Sequence, residues 1–370
     1  MPQNIVSYYQ QIGRAGRNID KAYIFLMYGK EDEDILNYFI NTAFPTEAET
    51  KQIVDFIGCH DGVRLGQLSA ALNMRTARMN KALAFLMNDG FIRKEGSCYY
   101  ITPKRFVYDR AHYASVTDVR RKEMEQMKQL ARTKGCLSHY IVSCLDDHTA
   151  QPCGHCANCI GRDLYPAKAS WPYVFIAEEY VNRQVIAIEP RKMWVTSSVT
   201  TGKKIERMLQ PGFCISKYGD AGYGELVKQG KYSKEKRFCD ELVGKSAQML
   251  RPFVREHGIT HVCPVPSLRS GIVADFARRL AASLKLEYTE LLVKTEAVPQ
   301  KRMENSAHQC ENAYRSFHVA GSLDVPKNIL LVDDVVDSRW TLTVCGVRLM
   351  EAGAENIYPF ALADSSNRED

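Results

Sequence analysis

Four cysteines near the middle of the chain constrain its fold more than any other feature. The pattern C-x16-C-x2-C-x2-C is formed by Cys136, Cys153, Cys156 and Cys159. Two residues between cysteines allow a tight turn to direct both sulfurs at one ion, and Gly154 and Asn158 suit such turns. Four protein ligands leave no position open for catalysis. The pattern therefore predicts a structural zinc ion held by four thiolates.

Two neighbouring residues could compete for the same metal. Cys144 follows a helical sequence and is expected to be buried. His155 lies between Cys153 and Cys156, so we expect its ring to point away from the ion. The alternative to a zinc site is a turn-rich loop with free thiols.

The composition is that of a soluble protein with reduced thiols. Hydrophobic residues make up 45% and charged residues 25% of the 370 residues, and this length predicts two to four domains. The sequence has no run of 18 apolar residues, and residues 1–4 lack the basic start of a signal peptide. We therefore expect no membrane partner and a cytoplasmic location. There, 12 cysteines are expected to be metal ligands or buried thiols and not disulfides.

Charge is distributed unevenly along the chain, whose net charge is +6. Residues 31–49 carry six acids and no base, whereas residues 51–134 carry 16 Lys and Arg against 8 Asp and Glu. Residues 166–370 carry 28 against 25. The basic middle segment predicts a contact with nucleic acid. A solvated helical surface is the alternative, because charge alone does not specify a partner.

Residues 46–110 have the order of elements of a winged helix. The hydrophobic periodicity predicts three helices and then a hairpin, at residues 47–60, 65–72, 75–88 and 91–101. The third helix has an apolar stripe that is predicted to be buried, formed by Met79, Leu83 and Leu86. The hairpin is expected to turn near Gly96.

Basic side chains in this segment are the predicted DNA contacts. Arg75, Arg78 and Lys81 recur at a spacing that places them on one face of the third helix. Arg93 and Lys94 lie on the predicted wing. Cations arranged in this way can contact phosphates. Winged helices also dock on other proteins, so docking without DNA contact is the alternative.

Residues 111–165 are predicted to form a helical module that carries the cysteines. One long helix over residues 115–135 is expected to begin with a capping box at Ser115 and to end at Gly135. Its predicted core stripe consists of Met124, Met127 and Leu130.

Residues 166–370 alternate strands and helices, which predicts a parallel α/β domain. An apolar strand from residue 328 ends in Asp333 and Asp334, a helix follows from about Arg339 to Glu351, and residues 357–362 form the next strand. Open parallel sheets bind ligands at the carboxyl ends of their strands. Adjacent acids at that edge can hold ribose hydroxyls directly or through Mg²⁺, and the next helix can hold a phosphate.

The loop after this strand resembles the phosphoribosyltransferase fingerprint D-D-x-x-T-T-G-x-T. The matched or closely substituted positions are Asp333, Asp334, Ser338 and Thr341. Asp337 replaces a Thr and puts a carboxylate beside the expected phosphate. Arg339 replaces the Gly that lets the backbone wrap that phosphate. The resemblance implies a type I phosphoribosyltransferase-like fold, and the two changes predict poor affinity for phosphoribosyl pyrophosphate.

Two other segments agree with this resemblance. Residues 262–267 end a strand where the family binds pyrophosphate, and residues 272–284 follow as a helix. Residues 299–306, with Lys301 and Arg302, resemble the mobile loop of competence-protein-type phosphoribosyltransferases. A solvated basic turn is the alternative for that loop.

Residues 1–45 contain the pattern Q-x-x-G-R-x-G-R, which resembles the last signature motif of superfamily 2 helicases. The resemblance implies nucleotide contacts by Gln10, Arg14 and Arg17, whose guanidinium groups suit a γ-phosphate. Neither G-x-x-x-x-G-K-[ST] nor D-E-x-H occurs in the chain. We therefore expect the end of a second RecA-like domain without its ATP-binding half. A buried strand at residues 22–28 and a helix at residues 31–40 are predicted to complete this segment.

The helicase motif and the cysteine spacing together resemble the RecQ family of DNA helicases. A winged helix before the zinc module and a phosphoribosyltransferase-like domain after it are similar to the bacterial RqlH type. The resemblance implies an ATP-dependent 3′-to-5′ helicase of DNA repair or recombination, located at the nucleoid, with ATP and Mg²⁺ as cofactors. Its expected partner is a junction of single-stranded and duplex DNA. The chain would then be a truncated form that needs an N-terminal helicase domain.

Two other functions fit parts of the sequence. A DNA-binding regulator that senses phosphoribosyl pyrophosphate would have no use for the helicase motif or the zinc module. An active phosphoribosyltransferase with appended modules would be expected to keep the Gly and both Thr of its fingerprint, and this chain does not keep them.

Overall fold

The computed structural model of the chain combines helices with a mixed, mainly parallel sheet. It describes residues 1–166, 168–182, 185–268, 270–295, 303–321 and 324–366. The chain divides into two compact units: Met1–Val63 with Ala77–Ala169, and Arg64–Thr76 with Ser170–Asp370. The multidomain α/β class is therefore confirmed in outline. Within the described ranges, no helix is both long and apolar enough to cross a membrane.

Residues 1–169 are mainly helical. In chain order they form α1 (Ile5–Ile12), α2 (Lys30–Asn41), α3 (Glu47–Gly58), β1 (Val63–Arg64), α4 (Leu65–Ala71), α5 (Thr76–Asn88), β2 (Ile92–Glu95), β3 (Cys98–Ile101), α6 (Arg110–Arg132), α7 (Leu137–Ser143) and α8 (Ala157–Ile160). Helix α4 lies in the second compact unit, whereas the other helices of this list belong to the first.

The predicted helices and hairpin of residues 46–110 are present. Helix α3 begins with a capping box, in which Thr46 and Glu49 each bind the backbone N–H of the other. Helix α5 buries the predicted apolar stripe of Met79, Leu83 and Leu86. Strands β2 and β3 pair antiparallel, and Gly96 makes the turn with a φ of +57°.

The predicted strand at residues 22–28 is wrong. Residues 21–29 have no regular structure, and Tyr23, Phe25 and Met27 are exposed. A strand needs a neighbour for its backbone hydrogen bonds, and the structure pairs no described strand with this segment. The predicted helix after it is confirmed as α2, with acids in its first turn.

The long helix α6 begins and ends earlier than predicted. Its N-cap is Asp109, whose carboxylate accepts the backbone N–H of His112 at 3.0 Å, so Ser115 lies inside the helix. The extra turn lets Tyr113 pack against Phe44, with ring centroids 4.9 Å apart. The helix ends at Arg132, so Gly135 is not its C-cap. The predicted stripe of Met124, Met127 and Leu130 is buried.

The second unit is an α/β fold. Its elements after residue 169 are α9 (Trp171–Asn182), β4 (Ile186–Ile188), β5 (Gly212–Cys214), α10 (Tyr223–Tyr232), α11 (Asp240–Glu256), β6 (His261–Pro264), α12 (Ile272–Leu284), β7 (Glu287–Tyr288), β8 (Leu292–Lys294), α13 (Ser306–Ser316), β9 (Phe317–Val319), β10 (Asn328–Val336), α14 (Trp340–Glu351) and β11 (Asn356–Asp364). Six of the strands form a sheet of order β4-β5-β11-β10-β6-β7, in which only β4 runs antiparallel to its neighbour.

Strand β10 lies near the centre of this sheet and positions the predicted ligand loop. Its residues Ile329 to Val332 are fully buried, because two hydrophobic clusters cover the sheet. The predicted β-α-β unit of β10, α14 and β11 is confirmed, with β10 and β11 parallel. The strand continues to Val336, two residues beyond the predicted end at Asp334.

Candidate zinc centre and ligand cleft

The four cysteines are positioned by the ends of two short helices and by one glycine turn. Cys136 is the N-cap of α7, and its Sγ accepts the backbone N–H of Cys153 at 3.2 Å. Cys156 is the N-cap of α8, and Cys159 lies inside that helix. Gly154 turns the chain between Cys153 and Cys156 with a φ of +76°. The four Sγ atoms lie within 4.8 Å of one another.

This arrangement fits a tetrahedral zinc site. Zn–S bonds of about 2.3 Å require sulfurs roughly 3.8 Å apart, so small shifts of the side chains suffice. Asn158 fixes α8 at the end of α6, because its amide donates to the carbonyl oxygens of Thr133 at 2.8 Å and Gly135 at 2.7 Å. Such outer contacts orient metal ligands. Among the described residues, no second group of three potential ligands is as close.

The pKa values of the thiols reflect the crowding of charge at this site. Burial raises the pKa of Cys153, but hydrogen bonds from the N–H of His155 and the hydroxyl of Ser138 lower it to about 5. The pKa of Cys159 is raised to about 12, mainly through its hydrogen bond with Cys156. Four adjacent thiolates repel one another unless a cation neutralises them. The donor set therefore fits a closed, structural Zn²⁺ site.

The two potential competitors lie outside this cluster. Cys144 packs on the hydrophobic cluster beside Tyr140 and is partly exposed, not buried as predicted. His155 is exposed, and its Nδ1 lies 2.6 Å from the carbonyl oxygen of Cys153. Its ring therefore binds the backbone beside the site, which agrees with the expectation that it points away from the ion.

The helicase-like motif begins in α1 and continues into an exposed loop. The apolar face of α1, with Ile5 and Tyr8, packs in one cluster with Met127 of α6 and Ile141 of α7. The start of the motif is thereby joined to α6 and to α7, whose N-cap is Cys136. The side chains assigned to nucleotide contact are all exposed: Gln10, Arg14 and Arg17. Gly16 takes a φ of +77°, as expected of a tight loop.

The structure corrects the predicted row of cations on α5. Arg78 is bound within the protein, because its guanidinium forms an ion pair with Glu49 at 2.6 Å and donates to the carbonyl oxygen of Thr42 at 2.7 Å. Lys81 is exposed, and its ammonium contacts the same carbonyl at 3.0 Å. Arg75 directly precedes α5, which begins at Thr76. Arg78 is therefore engaged within the protein, and the three cations do not form an exposed row.

The cations of the wing remain exposed. Arg93 lies over the ring of Tyr100 at 5.0 Å and forms an ion pair with Glu95. Lys94 lies over the ring of Tyr99 at 5.3 Å. Stacking on aromatic rings holds these side chains extended along the hairpin without removing their charge.

Arg75 belongs to the second unit, where the segment Arg64–Thr76 is bound to α13. Asn305 is the N-cap of that helix, and its amide donates to the carbonyl oxygens of Ser69 at 2.9 Å and Leu72 at 2.7 Å. These carbonyls belong to the end of α4, where helices leave acceptors without intrahelical partners. Arg75 then lines a pocket of about 410 Å³ together with Glu304, Gln309, Asp337, Ser338 and Ser365.

The aspartate pair lies in a cleft at the carboxyl end of the sheet. Lys231, in the last turn of α10, forms an ion pair with Asp334 at 2.9 Å. The pKa of Asp333 is raised to about 7, first by burial and then by the charge of Asp334, while Lys231 and Lys294 oppose the shift. The cleft has a volume of about 770 Å³, within the usual range for small-molecule sites.

The loop after β10 takes a left-handed turn at the position of the fingerprint Gly. Asp337, Ser338, Arg339 and Thr341 all line the cleft. Arg339 has a φ of +67°, the left-handed conformation that the fingerprint Gly adopts without strain. Its guanidinium contacts the carbonyl oxygen of Glu189 at 3.3 Å. Loss of solvent raises the pKa of Asp337, and the charge of Arg75 opposes that shift.

Sequence reasoning missed the basic side chains that face this loop. Lys231 and Lys294 lie far from the aspartates in the sequence and share no motif with them. Arg191 donates to the carbonyl oxygen of Ser338 at 2.8 Å and lies over Trp340 at 4.2 Å. Of the predicted basic loop at residues 299–306, Lys301 and Arg302 lie outside the described residues.

Comparison with known proteins bears on the cysteine module. Residues 100–160 match the protein-family model described as RecQ zinc-binding, and this range contains all four clustered cysteines. No curated protein matches the chain. The match supports membership of the RecQ family and a structural zinc ion. It also suggests a function on DNA related to that of RecQ helicases.

Proposed function

We propose that this chain is the C-terminal portion of an ATP-dependent 3′-to-5′ DNA helicase of the RecQ family, of the RqlH type, acting in DNA repair or recombination. One observation carries the proposal: the four sulfurs within 4.8 Å belong to a segment that matches the RecQ zinc-binding family. The packing of α1 on α6 and α7 supports it, because the helicase-like motif and the cysteines then belong to one compact unit.

The first segment contributes nucleotide contacts in this proposal. Gln10, Arg14 and Arg17 are exposed and available to a nucleotide held by a separate ATP-binding domain. Hydrolysis also needs a phosphate-binding lysine and a magnesium-binding acid, and the sequence contains neither of their motifs. We therefore expect the purified chain alone to hydrolyse no ATP and to unwind no DNA.

The winged-helix segment is proposed to bind DNA through the hairpin and Lys81, without Arg78. Arg93, Lys94 and Lys81 keep exposed charge, whereas Arg78 is used in a protein ion pair. A hairpin that carries cations and the partly exposed ring of Tyr100 suits phosphates next to unpaired bases. The proposed partner is a junction of single-stranded and duplex DNA.

The last unit is proposed to be a phosphoribosyltransferase-like domain that binds a phosphorylated ligand without efficient catalysis. The acid pair at the end of β10 and the cleft beside it favour binding of such a ligand. Asp337 and Arg339 disfavour transfer, because a carboxylate repels phosphate and a side chain stands where close backbone approach is needed. An active transferase and a phosphoribosyl-pyrophosphate-sensing regulator are the alternatives.

An ATPase assay separates these proposals. The full-length gene product that contains these residues is assayed with and without single-stranded DNA. The RecQ-type proposal expects hydrolysis that DNA stimulates and that Arg17→Ala reduces by about a hundredfold or more. Arg162→Ala, an exposed arginine beyond the cysteines, is the matched control. A full-length product without DNA-stimulated hydrolysis would refute the helicase assignment and favour the regulator or the transferase.

A further inference from the structure

The ligand cleft of the second unit is lined by an unusual number of cations for a site with an acid pair. Its basic residues are Lys231, Lys236, Lys294 and Arg339, and its carboxylates are Asp333, Asp334 and Asp337. The charges therefore nearly balance before any ligand or ion enters. In a site that holds Mg²⁺ through two acids, the metal supplies the positive charge that the carboxylates lack.

The ammonium of Lys231 supplies the positive charge that a metal ion would otherwise bring to the acid pair. Its ammonium lies 2.9 Å from Oδ2 of Asp334, whose side chain is only 15% exposed. At this distance in a partly buried site the pair is a charge-assisted hydrogen bond. One carboxylate oxygen of the pair is therefore already bound within the protein. Lys294, at the end of β8, lines the same cleft.

The second carboxylate is also a poor magnesium ligand. Asp333 accepts the backbone N–H of Asp334 at 2.8 Å through its Oδ1, so one oxygen of this carboxylate is also bound within the protein. Mg²⁺ prefers charged oxygens in octahedral geometry and gives up its waters reluctantly. The residues present do not fit the Mg²⁺ that a phosphoribosyltransferase-like fold implies.

We propose that this cleft binds a sugar phosphate without a divalent cation, with the two lysines in the place of the metal. The inference rests on the proposed ligand-binding role of the domain. Lys231 and Lys294 neutralise the acid pair and the incoming phosphate, while Asp333 and Asp334 bind sugar hydroxyls directly. The cleft of about 770 Å³ is large enough for a pentose phosphate.

The experiment is calorimetry of the full chain with ribose 5-phosphate, in EDTA and in millimolar Mg²⁺. The expected Kd is the same within about twofold in the two conditions. Lys231→Met should weaken binding in EDTA by about tenfold or more, and Mg²⁺ should recover part of the loss because Asp334 is then free. Lys231→Arg should stay within about threefold of the parent.

Lys228→Met is the matched control, because this lysine is on the same helix but pairs with Glu225 and does not line the cleft. Tryptophan fluorescence checks that each variant is folded. Binding by the parent chain that requires Mg²⁺ would overturn the metal-free inference while leaving ligand binding intact. Unchanged binding by Lys231→Met in EDTA would overturn it as well. No binding in either condition would overturn the inference together with the proposed ligand role of the domain, and it would leave the helicase assignment untouched.

Discussion

Replacing Arg78 with alanine should destabilise the segment around α3 and α5, because this arginine holds the two helices together. Its guanidinium makes three hydrogen bonds, two to Glu49 at 2.6 and 2.9 Å and one to the carbonyl oxygen of Thr42 at 2.7 Å. The side chains of Arg78 and Glu49 are 17% and 21% exposed. Removing one partner of such a pair leaves the other charge poorly solvated.

The expected loss of stability is about 2 kcal/mol, since charge-assisted hydrogen bonds contribute roughly 1.5–3 kcal/mol and partial exposure reduces that. Amide hydrogen exchange of the full chain measures this locally. A change of about 2 kcal/mol accelerates exchange in α3 roughly thirtyfold. Lys81→Ala is the control, because its exposed ammonium contacts the same carbonyl oxygen without forming the ion pair. Exchange within about twofold of the parent in Arg78→Ala would refute a structural role for this residue.

The same ion pair sets a pH dependence. Burial raises the pKa of Glu49, but hydrogen bonds from Arg78 and from the N–H of Thr46 lower it below its usual value of 4.5. Because the pKa of Glu49 is depressed in the folded state, the contribution of this ion pair to stability is fully present above about pH 4.5. That contribution is lost as the pH falls through the lower pKa of the folded state. The protection of the α3 amides, taken relative to the intrinsic exchange rate at each pH, should therefore fall more steeply on acidification in the parent than in Arg78→Ala.

Three further predictions concern other parts of the molecule. Cys156→Ser should reduce bound zinc from about one equivalent to less than half and lower solubility, whereas Cys144→Ser should retain the metal. Elemental analysis measures the bound zinc, and full occupancy in Cys156→Ser would contradict the closed four-thiolate site. Replacing Arg93 and Lys94 with alanine should reduce the slope of log affinity for DNA against log salt by about one to two units, and an unchanged slope would place the contact elsewhere. Asn305→Ala should accelerate amide exchange in residues 64–76 by about tenfold, because two hydrogen bonds to the end of α4 are lost. Exchange at the parent rate would show that these hydrogen bonds do not hold the segment.

The elements with strong local signals were predictable from the sequence. Helix α12 and the unit of β10, α14 and β11 follow from apolar periodicity and were found at nearly the expected bounds. The failures depend on distant partners. The segment at residues 22–28 forms no strand, because no described strand pairs with it. The N-cap of α6 is Asp109, six residues before the predicted Ser115, and the added turn packs the ring of Tyr113 against Phe44. No local pattern contains that information.

The candidate sites divide in the same way. The cysteine cluster was predictable because turns between close neighbours in sequence fix where three of the four sulfurs lie. The roles of Arg75 and Arg78 could not be predicted, because helical spacing carries no information about partners distant in sequence. Glu49, for example, lies 29 residues from Arg78. Lys231 was missed for the same reason, since its partner Asp334 is brought to it only by the fold.

The two departures from the phosphoribosyltransferase fingerprint acquire a common explanation in the structure. Arg339 adopts the backbone conformation of the lost Gly, so the loop keeps its shape despite a strain of about 1 kcal/mol. The side chain of Arg339 contacts the carbonyl oxygen of Glu189. The side chain of Asp337 lines a pocket together with Arg75. A loop that binds the transferred phosphate keeps its donors for the ligand, whereas this loop uses side chains at those positions to contact the protein. Asp337 thereby lies where the charge of Arg75 favours its ionised form, next to the segment that Asn305 binds. This arrangement fits the proposed role of the unit in binding and contact better than it fits phosphoribosyl transfer.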